Sequence, residues 1–484
     1  MSFLKQNIEK IAPRFKVAIS LGFILSFALI IRLVPVIFVS QELPKTQAKL
    51  LLRGDAPPFN QWAIFFVKQG PAFLFNPRFN MCDPKIRMTV VIRNSKRMPI
   101  YPLFLYLIYS IFGINLTAAM VSKILLDLLT LVLVYLLAKE LFHKEGVALL
   151  AGFLYAFDPA AVQFSSALCT ETLFVFFFVL TVLTFIKALL RPQYWKFVLS
   201  GFLIGLTTLT KPITEYFVPF MAVAIFFQNL EAFTSLRPIP TAPVLKRIFC
   251  AFFLILSCLV TFLPWQLRNL HVYGHFSLTS QRGTEMWRVR SFMKYGRYKN
   301  DVSKEEKKSL PSQINSNNPF DRSQAQDKVA LQYIGSNTGK YIKGFLGHLG
   351  DFFMVSGFFE EEMRIVPATT YTLRSLGIDK NTIRFLSKIF SHFLIIEEIF
   401  FVIGLSILLW SRKMRAIGGF IYLLLAYMVV IHSIIFWCAD FRAFYLVMPF
   451  IITVAVGGLD AIPTVFSTLR NSFNGEKLTK EKKW

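Results

Sequence analysis

Three acidic side chains stand where apolar runs give way to polar segments. Asp55 lies in Leu52-Arg53-Gly54-Asp55-Ala56, Asp158 in Phe157-Asp158-Pro159 and Glu171 in Cys169-Thr170-Glu171-Thr172-Leu173. A carboxyl among apolar neighbours is raised in pKa by desolvation and can then take a proton from a hydroxyl or amine. Plainer readings exist beside this one: Asp55 as a helix N-cap, Asp158 and Glu171 as caps or buried hydrogen-bond partners. Lys211, in Thr210-Lys211-Pro212, and Arg442 are bases of the kind that hold phosphate. On the topology assigned below, all five residues share one face. Acids that take protons beside bases that hold phosphate imply chemistry on a phosphorylated, membrane-embedded substrate.

The elements that must position these residues are transmembrane helices. Of the 484 residues, 55% are hydrophobic, only 17% are charged and 53 are Phe. Several apolar runs reach the ~18 residues or more that cross a bilayer as helix. A soluble enzyme, a secreted disulfide scaffold and a disordered chain are excluded. Ten spans are expected: Val17–Ser40, Thr117–Ala138, Val147–Phe164, Leu168–Ile186, Phe197–Thr210, Tyr216–Phe227, Ile248–Trp265, Phe393–Trp410, Ile417–Phe436 and Phe444–Ile462. The first is too long for a signal-peptide core and is expected to stay attached as a signal anchor. With the N-terminus inside, the cytoplasmic connections collect Lys and Arg in every case, from Lys5 and Lys10 to Lys482 and Lys483. The short outer turns hold only Lys211 and Arg442. The net charge of +25 is therefore topology under the positive-inside rule, and not a nucleic-acid footprint.

Two long segments fall outside, 41–116 and about 267–390. Pro99–Gly113 is apolar but short, and is expected to lie in the outer interface with Tyr101, Tyr106 and Tyr109 at headgroup depth. The basic, polar stretch 297–328 reads as a flexible surface loop. Within the spans an ionisable group costs at least ~2.5 kcal/mol, so each needs a reason. Arg32 is expected to snorkel to the outer face, and Lys123 to neutralise Asp127 at i, i+4. His271 and His275 read as structural. The five Cys (82, 169, 250, 258, 438) make no framework, and no P-loop, dinucleotide fingerprint, zincin or nucleophile-elbow motif is present. No D-x-D pair exists to hold a nucleotide-sugar metal.

The chain resembles the multi-spanning glycosyltransferases of the GT-C fold, in the branch of the protein O-mannosyltransferases and the lipid A aminoarabinose transferase. The likeness is carried by the order of short motifs. It begins with Arg32-Leu33 in the first span and Gly54-Asp55-Ala56 in the first outer loop. Arg97-Met98-Pro99-Ile100-Tyr101-Pro102-Leu103-Phe104 resembles the family's R-x-P-G-Y-P-L-F, with Ile100 for the glycine. Phe157-Asp158-Pro159, Glu171-Thr172-Leu173 and Thr210-Lys211-Pro212 follow. Pro264-Trp265-Gln266-Leu267-Arg268-Asn269 is similar to P-W-x-x-R-N, and Arg442 to Pro449 to R-Y-x-L-P-x-x-P.

The resemblance implies an all-α polytopic membrane protein: a GT-C bundle of about 10–12 transmembrane helices with two long extracytoplasmic loops. Its parts would be a cytoplasmic N-terminus (1–16), a core (17–290) including the first outer loop (41–116), an extracytoplasmic region (291–390), C-terminal helices (391–465) and a basic tail (466–484). It further implies an enzyme of the plasma (inner) membrane. A sugar would pass from a polyprenyl-phosphate donor to a lipid, polysaccharide or protein acceptor on the extracytoplasmic side. Asp55 would be the general base and Asp158 a second acid, and in some relatives a divalent cation sits near the aspartate. Arg97, Lys211, Arg268 and Arg442 would grip the lipid phosphate, with Tyr101 and Glu171 in the same substrate-binding set. The rival reading is a flippase or polymerase of lipid-linked saccharides. A flippase would be expected to show repeated halves, and none is found.

Overall fold

The computed structural model describes residues 2–52, 56–71, 96–226, 244–296, 310–353, 367–410, 415–435 and 441–473. Among these residues there is no strand, as expected of a chain that must satisfy its backbone inside a bilayer. The helices run in the order α1 (Ser2–Ser40), α2 (Pro44–Leu51), α3 (Ala56–Gln69), α4 (Ile100–Phe112), α5 (Leu116–Phe142), α6 (Glu145–Phe157), α7 (Pro159–Ser166), α8 (Glu171–Leu190) and α9 (Tyr194–Thr210). A 3-10 turn over Pro212–Phe217 leads into α10 (Val218–Phe226). Then come α11 (Val244–Tyr273), α12 (Gln281–Tyr295), α13 (Pro319–Ser336), α14 (Thr338–Phe353), α15 (Pro367–Ser375), α16 (Lys380–Trp410), α17 (Arg415–Ile435), α18 (Phe441–Tyr445) and α19 (Met448–Phe473).

Five helices are long and apolar enough to cross a membrane, namely Phe15–Ser40, Leu116–Phe142, Glu171–Leu190, Val244–Tyr273 and Ile417–Ile434. The chain is a multi-pass membrane protein. The expected span Val147–Phe164 is instead a broken one, α6 and α7 meeting at 56°. Pro159 has no N–H for the Tyr155 carbonyl and clashes with a continuing helix. Asp158 then restarts the chain by accepting from the Ala161 N–H at 2.6 Å, a capping bond. The span expected to end at Trp265 runs through Pro264 to Tyr273, which carries Arg268 and Asn269 within its last two turns.

The core is built around α8, whose Phe174, Phe178 and Phe185 are fully buried. Phe178 meets Phe450 of α19 edge-on at 5.3 Å. α9 sits directly against α11 because Gly201 and Gly205 leave room for its backbone. A Cβ at Gly201 would run into the Leu254 carbonyl, and one at Gly205 would lie 2.6 Å from Thr261 Cβ. This is the small-xxx-small packing of membrane helices, and Ser257 adds a bond across it, its hydroxyl donating to Val198 O at 2.8 Å.

Tyr101 and Tyr109 of α4, expected to reach the headgroups, are buried within the protein, because α4 packs on α3 and α5. The Tyr109 hydroxyl donates to Asn60 Oδ1 of α3 at 2.6 Å. Only the opposite face, with Leu107, Ile111 and Phe112, is exposed. Part of the stretch expected to be a flexible loop is also ordered. α13 docks on α12 through Gly283, and Phe320 is buried with Val272 and Tyr273; residues 297–309 lie outside the described residues. His275 is structural as read, paired with Asp321 at 2.8 Å and stacked on Phe320.

Candidate active site

Asp55 lies outside the described residues, and among those that are described the candidate site is a group of charged side chains. At its centre is Glu171, the first residue of α8, with a side chain only 2% exposed. Its Oε1 is 3.2 Å from Lys211 Nζ and 3.8 Å from Arg442 Nη1. Three separate pieces of chain supply this group: the start of α8, the residue that ends α9 and the short α18. The sequence arranges it locally at helix termini, since Glu171 begins α8, Pro212 stops the helix after Lys211 and Arg442 lies in the single turn of α18.

Lys123 stands behind Glu171. It is fully buried, and its Nζ donates to Phe164 O and Cys169 O at 3.0 Å each and to Ala167 O. Lys123, Lys211 and Arg442 thus carry three positive charges around one carboxylate. The hydroxyl of Tyr101 is buried here without a hydrogen-bond partner among the described residues. The Tyr101 ring lies 5.9 Å from Lys123 Nζ and meets Phe59 edge-on at 5.2 Å. Arg97 also lies over Phe59, 5.1 Å from the ring centre, so Arg97 and Tyr101 share one aromatic support.

Deeper lies a second buried group. Arg32 Nε is 2.5 Å from Asp127 Oδ2, the Tyr155 hydroxyl donates to Asp127 Oδ1 at 2.8 Å, and Arg32 Nη1 donates to Ala156 O at 2.8 Å. The expected snorkelling of Arg32 is therefore wrong: the guanidinium is fully buried, supplying donors to carbonyls that the bend at Pro159 leaves without their helical N–H. The expected Lys123–Asp127 pair does not form either. Asp127 goes to Arg32, and Lys123 to three carbonyls. Asp158 sits at the bend, 4% exposed and capping α7, which is the plainer of its two readings.

Arg268 is not in the Glu171 group. Its guanidinium lies between Trp265 at 4.8 Å and Tyr273 at 5.0 Å and donates to Asn269 Oδ1 at 2.8 Å. Trp265 in turn faces Trp62 of α3 at 6.5 Å. Nearby, Lys96 was not singled out by motif reading. Burial lowers its ammonium to about 8 despite the charge of Glu285, with Arg322, Arg97 and Arg288 adding to the depression. Burial also pushes the Cys169 thiol up to about 12. The signal for Lys123 was in the sequence, as a lysine within an apolar span, but its partners were not. Among the described residues no group of three or more His, Cys, Asp or Glu stands together as a metal site.

Residues 96–265 match the family described as dolichyl-phosphate-mannose-protein mannosyltransferase. No curated protein matches the chain in sequence. Among solved structures it is similar to the oligosaccharyltransferase of Archaeoglobus fulgidus in its apo form, at 14% identity and a TM-score of 0.51. That match covers 95% of this chain and 52% of the other. The same archaeal protein in complex with Zn and sulfate gives 16% identity, a TM-score of 0.50 and coverage of 92% and 49%. ArnT from Cupriavidus metallidurans, bound to undecaprenyl phosphate, gives 12%, 0.38, 95% and 81%. The chain spans about half the length of the archaeal protein. The fold is that of the GT-C membrane glycosyltransferases.

Proposed function

We propose that this chain, with the GT-C fold and with residues 96–265 matching the mannosyltransferase family, is a membrane glycosyltransferase. It transfers a sugar from a polyprenyl-phosphate donor to an acceptor on the extracytoplasmic face. The observation that carries the reading is the charge balance at Glu171. Three cations face one carboxylate, Lys211 and Arg442 directly and Lys123 from behind. The excess of two positive charges suits the leaving group. A sugar phosphodiester carries one negative charge, and the lipid phosphate released from it approaches two near neutral pH. Cations fixed where charge develops stabilise the transition state more than the ground state.

In the step proposed, Asp55 takes the proton of the acceptor hydroxyl. The acceptor oxygen attacks the anomeric carbon, and the bond from that carbon to the phosphate oxygen breaks with inversion. The electron pair leaves with the lipid phosphate, held by Lys211 and Arg442 with Arg97 at the outer side. The Tyr101 hydroxyl supplies a buried donor aimed at the same region. Arg268, stacked between two aromatic rings, would grip phosphate only from outside the Glu171 group. A divalent cation would need Asp55 beside Asp158, whose Oδ1 already accepts from Ala161. The Zn-bound archaeal structure makes such an ion reasonable without assigning it ligands here. The acceptor is lipid, polysaccharide or protein.

The test is mass spectrometry of polyprenyl-linked sugars in host cells lacking the chain, complemented by wild type or Asp55→Asn. One lipid-linked sugar should accumulate without the protein, be cleared by wild type and persist with the variant. An unchanged pool in all three strains, or full clearance by Asp55→Asn, refutes the assignment.

A further inference from the structure

Lys123 and Asp127 stand one helical turn apart on the same face of α5, yet each is used at a different end of one segment. Asp127 holds Arg32 and Tyr155, and Arg32 bonds the carbonyls of Tyr155 and Ala156 at the end of α6. Lys123 holds the carbonyls of Phe164, Ala167 and Cys169 at the far end of α7 and in the connection that follows. Thr172 fixes the same place from α8, its hydroxyl donating to Phe164 O at 2.8 Å. Between the two anchors lie residues 157–163, and Glu171 comes two residues after Cys169, the last carbonyl that Lys123 holds.

The Lys123 side chain makes three bonds to three acceptors. A neutral amine has only two N–H groups, so this arrangement uses the ammonium, and it uses every donor the ammonium has. The ammonium is thus directed at backbone carbonyls. We infer that Lys123 is a positioning residue: it pins the 167–170 connection so that Glu171 can hold Lys211 and Arg442 in register for a lipid phosphate. The inference rests on the phosphate reading above. Its physical basis is that three buried carbonyls each lose a charged donor if the ammonium is removed, Phe164 O keeping Thr172 and Ala167 O keeping the Cys169 N–H. The connection they belong to is non-helical over Ala167–Thr170 and buried throughout, so its carbonyls depend on donors from other elements.

The experiment uses the full chain in detergent, comparing wild type, Lys123→Met, Lys123→Arg and, as a control at the exposed end of α5, Lys139→Met. Cysteine labelling by N-ethylmaleimide at pH 7.5 is mapped by peptide mass spectrometry, and binding of a polyprenyl phosphate is titrated. In Lys123→Met, Cys169 should label at least tenfold faster while Cys250 and Cys258 keep their rates, and the lipid phosphate should bind at least tenfold more weakly. Rates rising equally at all three cysteines would mark a purely structural lysine and overturn the inference. So would a folded Lys123→Met with Cys169 still protected and binding unchanged. If Lys123→Met does not fold, Lys123→Arg decides. Its planar fork keeps the charge but cannot meet three converging carbonyls, so binding should weaken threefold or more in protein that still folds, and wild-type binding would overturn the inference. Wild type that fails to bind the lipid phosphate would sink the functional reading, while the labelling arm would still decide whether Lys123 pins the connection.

Discussion

At the residue scale, the site depends on charges that do not cancel. Glu171 is buried and shared by two cations from other helices, so removing either cation changes both the field and the geometry. Arg442→Ala should lower kcat/KM for the donor by on the order of 10²–10³, the range for losing one preorganised donor to a developing anion. Steady-state kinetics with a defined lipid-linked sugar would measure it, and an effect under threefold would remove Arg442 from the site. Lys96 gives a pH signature outside the spans. Its pKa in the folded chain is about 8, below the ordinary ~10.4 of an unfolded lysine. Between those values the unfolded chain binds more protons, so stability must rise with pH there. From pH 7.5 to 9.5 wild type should therefore gain Tm relative to Lys96→Met. The opposite sign would mean that the ammonium is stabilised, not strained, by its surroundings.

At the element scale, the arrangement depends on where helices stop and how closely they approach. The bend at Asp158-Pro159 turns one expected span into α6 and α7, and the freed carbonyls are what draw Arg32 into the core. The contact of α9 with α11 depends on Gly201 and Gly205, where added side-chain atoms meet backbone or Thr261. α9 also delivers Lys211, so this contact sets the position of a site residue. Gly201→Leu should cost about 1–3 kcal/mol by overpacking, seen as a lower Tm in detergent, and should weaken donor binding as Lys211 shifts. Gly419, which has open space around it, is the control position and should tolerate Ala without effect. A Gly201→Leu variant with wild-type Tm would mean that α9 and α11 can separate without loss.

At the scale of the whole molecule, the proposed chemistry needs the Glu171 group and α12–α14 on the same, extracytoplasmic side. That side is the one expected from the lysine and arginine distribution under the positive-inside rule. A single cysteine at the exposed Gln313 should react with a membrane-impermeant maleimide in intact cells, and one at the exposed Lys144 only after permeabilisation. Reversed accessibility would place the acids and bases on the cytoplasmic face and exclude the proposed donor geometry.

The sequence by itself determined the membrane class, the helical architecture and the positions of five of the ten expected spans, because each depends on apolar runs of bilayer length. It also picked out Glu171, Lys211 and Arg442 as candidates, since charges at the ends of apolar runs are costly and few. What it could not determine was the partner of each buried charge. Arg32 was expected at the surface and Lys123 beside Asp127, because sequence spacing reports neighbours on one helix only. In the folded chain Arg32 lies against α5 and α6, and Lys123 against the end of α7. Partners from other helices outcompete a neighbour one turn away, because a buried ammonium or guanidinium must satisfy every N–H it carries, and a single carboxylate cannot do that. Only tertiary packing brings the carbonyls of a broken helix to those donors.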